Sequence, residues 1–110
     1  MATKWNPLLE ELIEAAVREP NRARELVKNH PESLELRTGL GETAMHYLAV
    51  ENYAEAVQLL LELGSNVNTK NMFGQSALLE TITVHADEAC AVLRRAGAIE
   101  PTPKELEELM

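Results

Sequence analysis

Gly41-Glu42-Thr43-Ala44-Met45-His46-Tyr47-Leu48-Ala49, followed by Glu55-Ala56-Val57-Gln58-Leu59-Leu60-Leu61-Glu62-Leu63-Gly64-Ser65-Asn66-Val67-Asn68, is the stretch from which the fold can be read. Sliding the chain by 33 residues brings Gly41 onto Gly74, Thr43 onto Ser76 and Ala44 onto Ala77. The same shift brings Glu55 onto Glu88, Leu60 onto Leu93 and Gly64 onto Gly97. Turn residues and apolar residues recur together, which marks a structural repeat rather than two chance amphipathic helices. One step back, Ala16 falls under Ala49, Val27 under Leu60 and Pro31 under Gly64, so there are three units, the first without its glycines.

Each unit reads as two short helices and a turn. Thr43 is placed to cap a helix running to about Glu51, its hydroxyl accepting an orphan backbone N–H. Met45, Leu48 and Ala49 form one apolar face at helical spacing. After Asn52-Tyr53 a second helix, about Ala54 to Leu63, presents Ala56, Val57, Leu60 and Leu61, and Gly64 ends it in the left-handed conformation that glycine tolerates. Ser65 to Gln75 is too polar and too glycine-punctuated for helix, and no strand alternation occurs. The fold class expected is all-α. Neither helix pair can bury its apolar face alone, so the units must stack into one continuous core.

Outward from this stretch, Pro7 to Val17 and Pro20 to Asn29 form a helix pair with charged flanks, a polar N-terminal cap. Trp5 should pack over these capping helices, with partner contact as the alternative. Thr102-Pro103-Lys104-Glu105 is a capping-box sequence opening a helix to Leu109, with Leu106 and Leu109 covering the open end. The whole chain, 110 residues, is then a single domain.

Composition narrows the function. Hydrophobic residues are 45% and charged residues 25%, a globular balance. Net charge is −8, which argues against a nucleic-acid phosphate reader built on clustered Lys and Arg and against an anionic membrane surface. Residues 38–93 hold seven acids against Lys70 alone, so they carry −6 of the −8. Such an acidic face is either a solvated exterior or a docking field for a basic partner. The single cysteine, Cys90, forms no internal disulfide, and the chain has neither an apolar leader nor a spanning segment, so a cytoplasmic protein is expected.

At the quoted residues the chain resembles the ankyrin repeat family. Gly41 to Ala49 is similar to the family's G-x-T-P-L-H-x-A-A, with Ala44 for Pro and Met45 for Leu. Glu55 to Asn68 is similar to E-I-V-x-L-L-L-x-x-G-A-D-V-N, and Gly74-Gln75-Ser76-Ala77-Leu78 repeats the opening, with Leu79 in the His position and His85-Ala86 where the family has Gly-His. The resemblance implies a solenoid of stacked helix-turn-helix units with turn or hairpin tips. Two repeats, about 36–68 and 69–99, would lie between a capping pair at 1–35 and a capping helix at 100–110. It makes Gly41, Thr43, His46, Gly64, Gly74, Ser76 and Gly97 structural motif positions, and gives His46 a side-chain hydrogen bond tying neighbouring turns.

No catalytic, cofactor-binding or metal-ligating set emerges. His30, His46 and His85 occupy non-equivalent positions, and zinc-type spacing is absent. Cys90 stands where Val57 stands one repeat earlier, as a small buried hydrophobe. Gly39-Leu40-Gly41 lacks the strand, Lys and spacing of a phosphate loop. The resemblance implies that partners dock on turn tips and on the exposed side of the first helix of each pair. In this register that surface is Arg37, Leu40 and Glu42 at one tip, Lys70, Met72, Phe73 and Gln75 at the next, and Val50, Glu51, Thr83 and Val84 at the helix ends. Met72-Phe73 either anchors a partner or folds back onto Leu40. The expected function is a non-enzymatic module, without cofactor, binding a protein partner as a monomer. The alternatives are a regulatory or capping fragment of a larger assembly, and an acidic immunity or inhibitor protein masking a basic toxin-like partner.

Overall fold

The computed structural model describes residues 5–109, and among them the chain is all-helical. The elements are α1 (Pro7–Arg18), α2 (Pro20–Asn29), a 3-10 turn (Pro31–Glu35), α3 (Ala44–Val50), α4 (Ala54–Glu62), α5 (Ala77–Val84), α6 (Asp87–Arg95) and α7 (Pro103–Glu107). No strand forms among the described residues, and one isolated antiparallel bridge joins Lys70 to Ser76. The helices pair as α1 with α2, α3 with α4 and α5 with α6. Between pairs, α3 packs on α5 and α4 on α6, giving a slab of 40 × 36 × 19 Å.

The shift of 33 residues is a register of the core. Leu12, Met45 and Leu78 are fully buried at one position of successive units; Ala23, Ala56 and Ala89 are buried at a second, and Val27, Leu60 and Leu93 at a third. Alanines recur where helices approach closely, and large aliphatic residues recur where the space between pairs must be filled. Thr81, buried at the position of Leu48, returns its hydroxyl to the Leu78 carbonyl at 2.7 Å, so its burial strands no donor.

Helix starts follow the sequence closely. Thr43 and Ser76 accept from the amides of His46 and Leu79 at 3.3 and 3.2 Å. Asn6 accepts from Leu8 at 2.8 Å ahead of Pro7, and Thr102 and Glu105 form the reciprocal capping box. Gly64 and Gly97 have φ of +115° and +86° where α4 and α6 end. The turns inside each pair bring something new. Asn52 and His85, equivalent by the repeat, both adopt the left-handed conformation, with φ of 63° and 59°. Asn52 also reaches into the next unit: its Oδ1 accepts from the Ala89 amide at 3.0 Å and its Nδ2 donates to Glu88 at 2.9 Å. The residue preceding α6 is Ala86, which has no capping oxygen, so the previous repeat supplies the cap.

Both ends depart from the sequence expectations. Trp5 is half-buried, with its ring edge-on to Tyr47 of α3 at 4.9 Å, so it reaches the second unit rather than only the capping pair. Helix α7 forms but buries none of its residues, and Leu106 is 38% exposed. A helix of five residues has too little apolar face to seal a stack. Helix α2 packs chiefly on α1 and the 3-10 turn, while α1 provides the packing against α4.

Replacing Asn52 separates its two roles. Asn52→Gly keeps the left-handed turn and loses the cap, and should cost about 1 kcal/mol. Asn52→Ala loses both and should cost about 2 kcal/mol. Urea unfolding of the two variants beside the parent chain checks the order.

Candidate functional site

The tips are built twice from the same parts. In the first, the Thr38 amide donates to the Glu42 carbonyl at 2.9 Å, and the Thr38 hydroxyl accepts from the Leu40 and Glu42 amides, each at 3.2 Å. In the second, the Asn71 amide donates to Gln75 at 2.9 Å, and Asn71 Oδ1 accepts from Phe73 and Gln75 at 2.9 and 3.0 Å. Each loop turns at a glycine with positive φ, Gly41 at +79° and Gly74 at +74°.

The two tips are bonded to each other. The Met72 amide donates to the Leu40 carbonyl at 3.0 Å. Arg37 Nη1 donates to the carbonyls of Gly41 at 2.7 Å and Lys70 at 2.9 Å, spanning both loops. A Cβ on Gly41 would lie 2.8 Å from the Met72 nitrogen, so this approach requires glycine. Leu40, Met72 and Phe73 thereby project from one continuous backbone edge, 53%, 63% and 66% exposed.

Leu40, Glu42, Phe73, Gln75, Thr83 and Val84 come together around a cleft of about 280 Å³, joined by Asn71 and Glu80. The other sequence-predicted residues lie outside that lining. Met72 is beside it on the ridge, Arg37 is engaged in the tip bonds, Lys70 is exposed at the base of its tip, and Val50 and Glu51 are half-buried and exposed at the end of α3. A larger groove, about 730 Å³, runs between α2 and the α4–α6 pair. Its charges are mixed (Arg24, Arg95, Glu55, Glu62, Glu88), and none of the predicted binding residues lines it.

Under the cleft sits His46, fully buried. Its Nε2 lies 3.1 Å from Glu80 Oε1, and the same oxygen accepts from Asn71 Nδ2. The expected histidine bond exists, but its direct partner is a side chain of α5, and only Asn71 carries it on to the tip. As the donor to a carboxylate oxygen, Nε2 carries the hydrogen of this bond, and Nδ1 is buried without a hydrogen-bond partner. Glu42 completes the cluster, with one ligand-type atom from each of Glu42, His46 and Glu80 lying within 4.8 Å of the others. These are the residues with the donor types to hold a cation. Spacing alone did not reveal them, because the histidines do not converge; one histidine meets two carboxylates from other positions. Glu80, Asn71 and Thr38 were absent from the predicted surface, although Thr38 and Asn71 are repeat equivalents and could have been found by that signal.

The carboxyls are driven apart in pKa. Burial, then the charge of Glu80 and the hydrogen bond to it, raise Glu42 above its ordinary value. Burial pushes Glu80 upward too, but the hydrogen bond and charge of His46, with bonds from Glu42 and Asn71, hold it below.

An ankyrin-repeat sequence model, "Ankyrin repeats (many copies)", matches residues 26–81, from within α2 to within α5. The chain belongs to the ankyrin repeat family. No curated protein matches it. Ankyrin repeats are in general protein–protein interaction modules and typically non-enzymatic, and that coarse role is the one the family supplies.

The linkage at Glu42 has a definite sign. Its raised pKa means the folded chain holds this proton to higher pH than the unfolded chain, so ionising it opposes folding. Its contribution to stability falls as pH rises from the ordinary 4.5 through the raised value. Glu80 acts oppositely, stabilising above 4.5 and losing that contribution as pH falls below it. Glu42→Gln should therefore raise the thermal midpoint near pH 7 and change it little at about pH 4. An unchanged or lower midpoint near neutrality would show that the carboxyl pair carries no repulsion.

Proposed function

We propose that the chain is a non-enzymatic module that docks a protein partner through its two tips and the adjacent concave cleft. The observation that carries this reading is the Leu40/Met72/Phe73 ridge: three large apolar side chains more than half exposed on a backbone already held by cross-tip bonds. Exposed apolar groups of this kind are interface anchors when clustered. A backbone ordered before binding removes much of the ordering cost of association. The alternative for Phe73, local packing on Leu40, is disfavoured by the exposure of both residues.

The partner chemistry follows from charge. A net charge of −8, concentrated in residues 38–93, favours a basic protein surface over nucleic acid. We divide the chain into two docking repeats, 36–68 and 69–99, held between the pair at 1–35 and the short helix at 100–110. Among the described residues no helix is long and apolar enough to cross a membrane. We place the protein in the cytoplasm because Cys90 is a buried free thiol rather than half of a disulfide. We assign it no catalytic residue, metal or cofactor. An acidic inhibitor masking a basic, toxin-like protein is the form in which this surface would have the clearest use. A fragment of a larger assembly would use the same ridge as a permanent contact, and light scattering at several concentrations separates that case from the monomer we propose.

Affinity capture from the source cells, with the parent chain beside a Met72→Ser/Phe73→Ser double variant, tests the reading. Both chains must show the same helicity by circular dichroism. The partner retained by the parent should be lost from the variant, a loss of about 2 kcal/mol or more for the aromatic anchor alone. Equal retention by both would move the docking site off the ridge.

A further inference from the structure

The cleft beside the ridge has a floor that apolar docking does not explain. Glu42 and Glu80 sit next to each other, half-buried, and within the described residues no Lys or Arg forms an ion pair with either. Glu80 Oε1 is occupied by His46 and Asn71, while the Glu42 carboxylate accepts no hydrogen bond from a backbone amide or from a Lys, Arg, Asn or Gln side chain of the described residues. The two carboxyls hydrogen-bond to each other, and once the shared proton is lost they repel unless a cation takes its place. His46 lies beneath the pair, with its Nε2 already committed to Glu80.

The walls show what kind of cation fits. Leu40, Phe73 and Val84 are apolar and 53%, 66% and 49% exposed, and the volume of about 280 Å³ is at the small end for a ligand pocket. Such a cleft suits a charge carried on an aliphatic stem, which buries its methylenes against apolar surface and delivers its head to the carboxylates.

We propose that this cleft accepts a single Arg or Lys side chain of the protein partner, its stem between Leu40, Phe73 and Val84 and its cationic head on Glu42 and the second oxygen of Glu80. Arg is the better fit, because a guanidinium pairs with carboxylates through two parallel hydrogen bonds and lies well against an aromatic ring. The cation resolves the repulsion between the carboxyls on binding, so the acidic pair acts as a specificity element for a basic residue. This acceptor rests on the docking function proposed above and refines it.

The test is panning of a phage-displayed random-peptide library against the parent chain, followed by affinity measurement on Glu42→Gln and on Met72→Ser/Phe73→Ser. Glu42→Gln relieves repulsion and so should fold at least as well as the parent. Selected peptides should share an Arg or Lys beside an apolar residue. Binding should fall about tenfold or more when that residue becomes Gln or when Glu42 becomes Gln. Peptides without a basic preference, unaffected by Glu42→Gln but lost from the ridge variant, would overturn the acceptor and leave ridge docking intact. Peptides indifferent to the ridge variant would overturn the docking reading, and the acceptor with it. A library that yields no binder counts against the acceptor. Micromolar binding of zinc chloride by the parent, abolished by Glu42→Gln, would overturn it in favour of a metal centre.

Discussion

The hydrogen bond from the Met72 amide to the Leu40 carbonyl, together with the absence of a side chain on Gly41, sets the spacing of the two tips. A methyl group at Gly41 would meet the Met72 nitrogen at 2.8 Å, and its φ of +79° already disfavours other residues. Given that spacing, Arg37 can span both loops, Leu40 and Phe73 line one cleft from equivalent positions of the two tips, and Glu80 meets both Asn71 and His46. Widening this contact would separate the ridge from the cleft. The constraint is small in energy, one backbone hydrogen bond and one close approach, but it determines which side chains share a surface.

The repeat core supplies the platform. Residues that the shift of 33 makes equivalent are buried alike, so each unit covers the apolar face of its neighbour. The cross-repeat cap from Asn52 to α6 shows the same dependence at the level of a single hydrogen bond. In this arrangement local helix signals and neighbour contacts support each other, the consistency expected of a sequence with one stable fold.

Much of this was legible in the sequence because it is local or periodic. Thr43 and Ser76 announce helix starts, Gly64 and Gly97 helix ends, and Met45, Leu60, Leu78 and Leu93 the core. What escaped depends on contacts between units. In the sequence Asn52 only marks the boundary between two helices, and nothing in its neighbourhood shows that its side chain caps a helix in the next unit. His46 was expected to make a structural bond, but its partner Glu80 lies 34 residues away, at a position that holds Tyr47 in the preceding repeat. The cleft was half visible: six of its lining residues were predicted binders, while Asn71 and Glu80 were not. Trp5 and α7 lie outside the repeat register, and there periodicity could not say what they touch.

In the proposed docking mode the apolar ridge would supply affinity and the Glu42–Glu80 pair selectivity, both on a backbone held by hydrogen bonds within the chain. That preordering is the central claim, and amide hydrogen exchange at Met72, followed by NMR in the free protein, tests it most directly. The account predicts a Met72 amide protected to nearly the extent of the α5 core amides, such as Thr81, because its bond to Leu40 opens only when the units separate. Exchange of Met72 at the rate of an unstructured amide, with Thr81 still protected, would mean that the tips move independently and that the ridge forms only on contact with a partner.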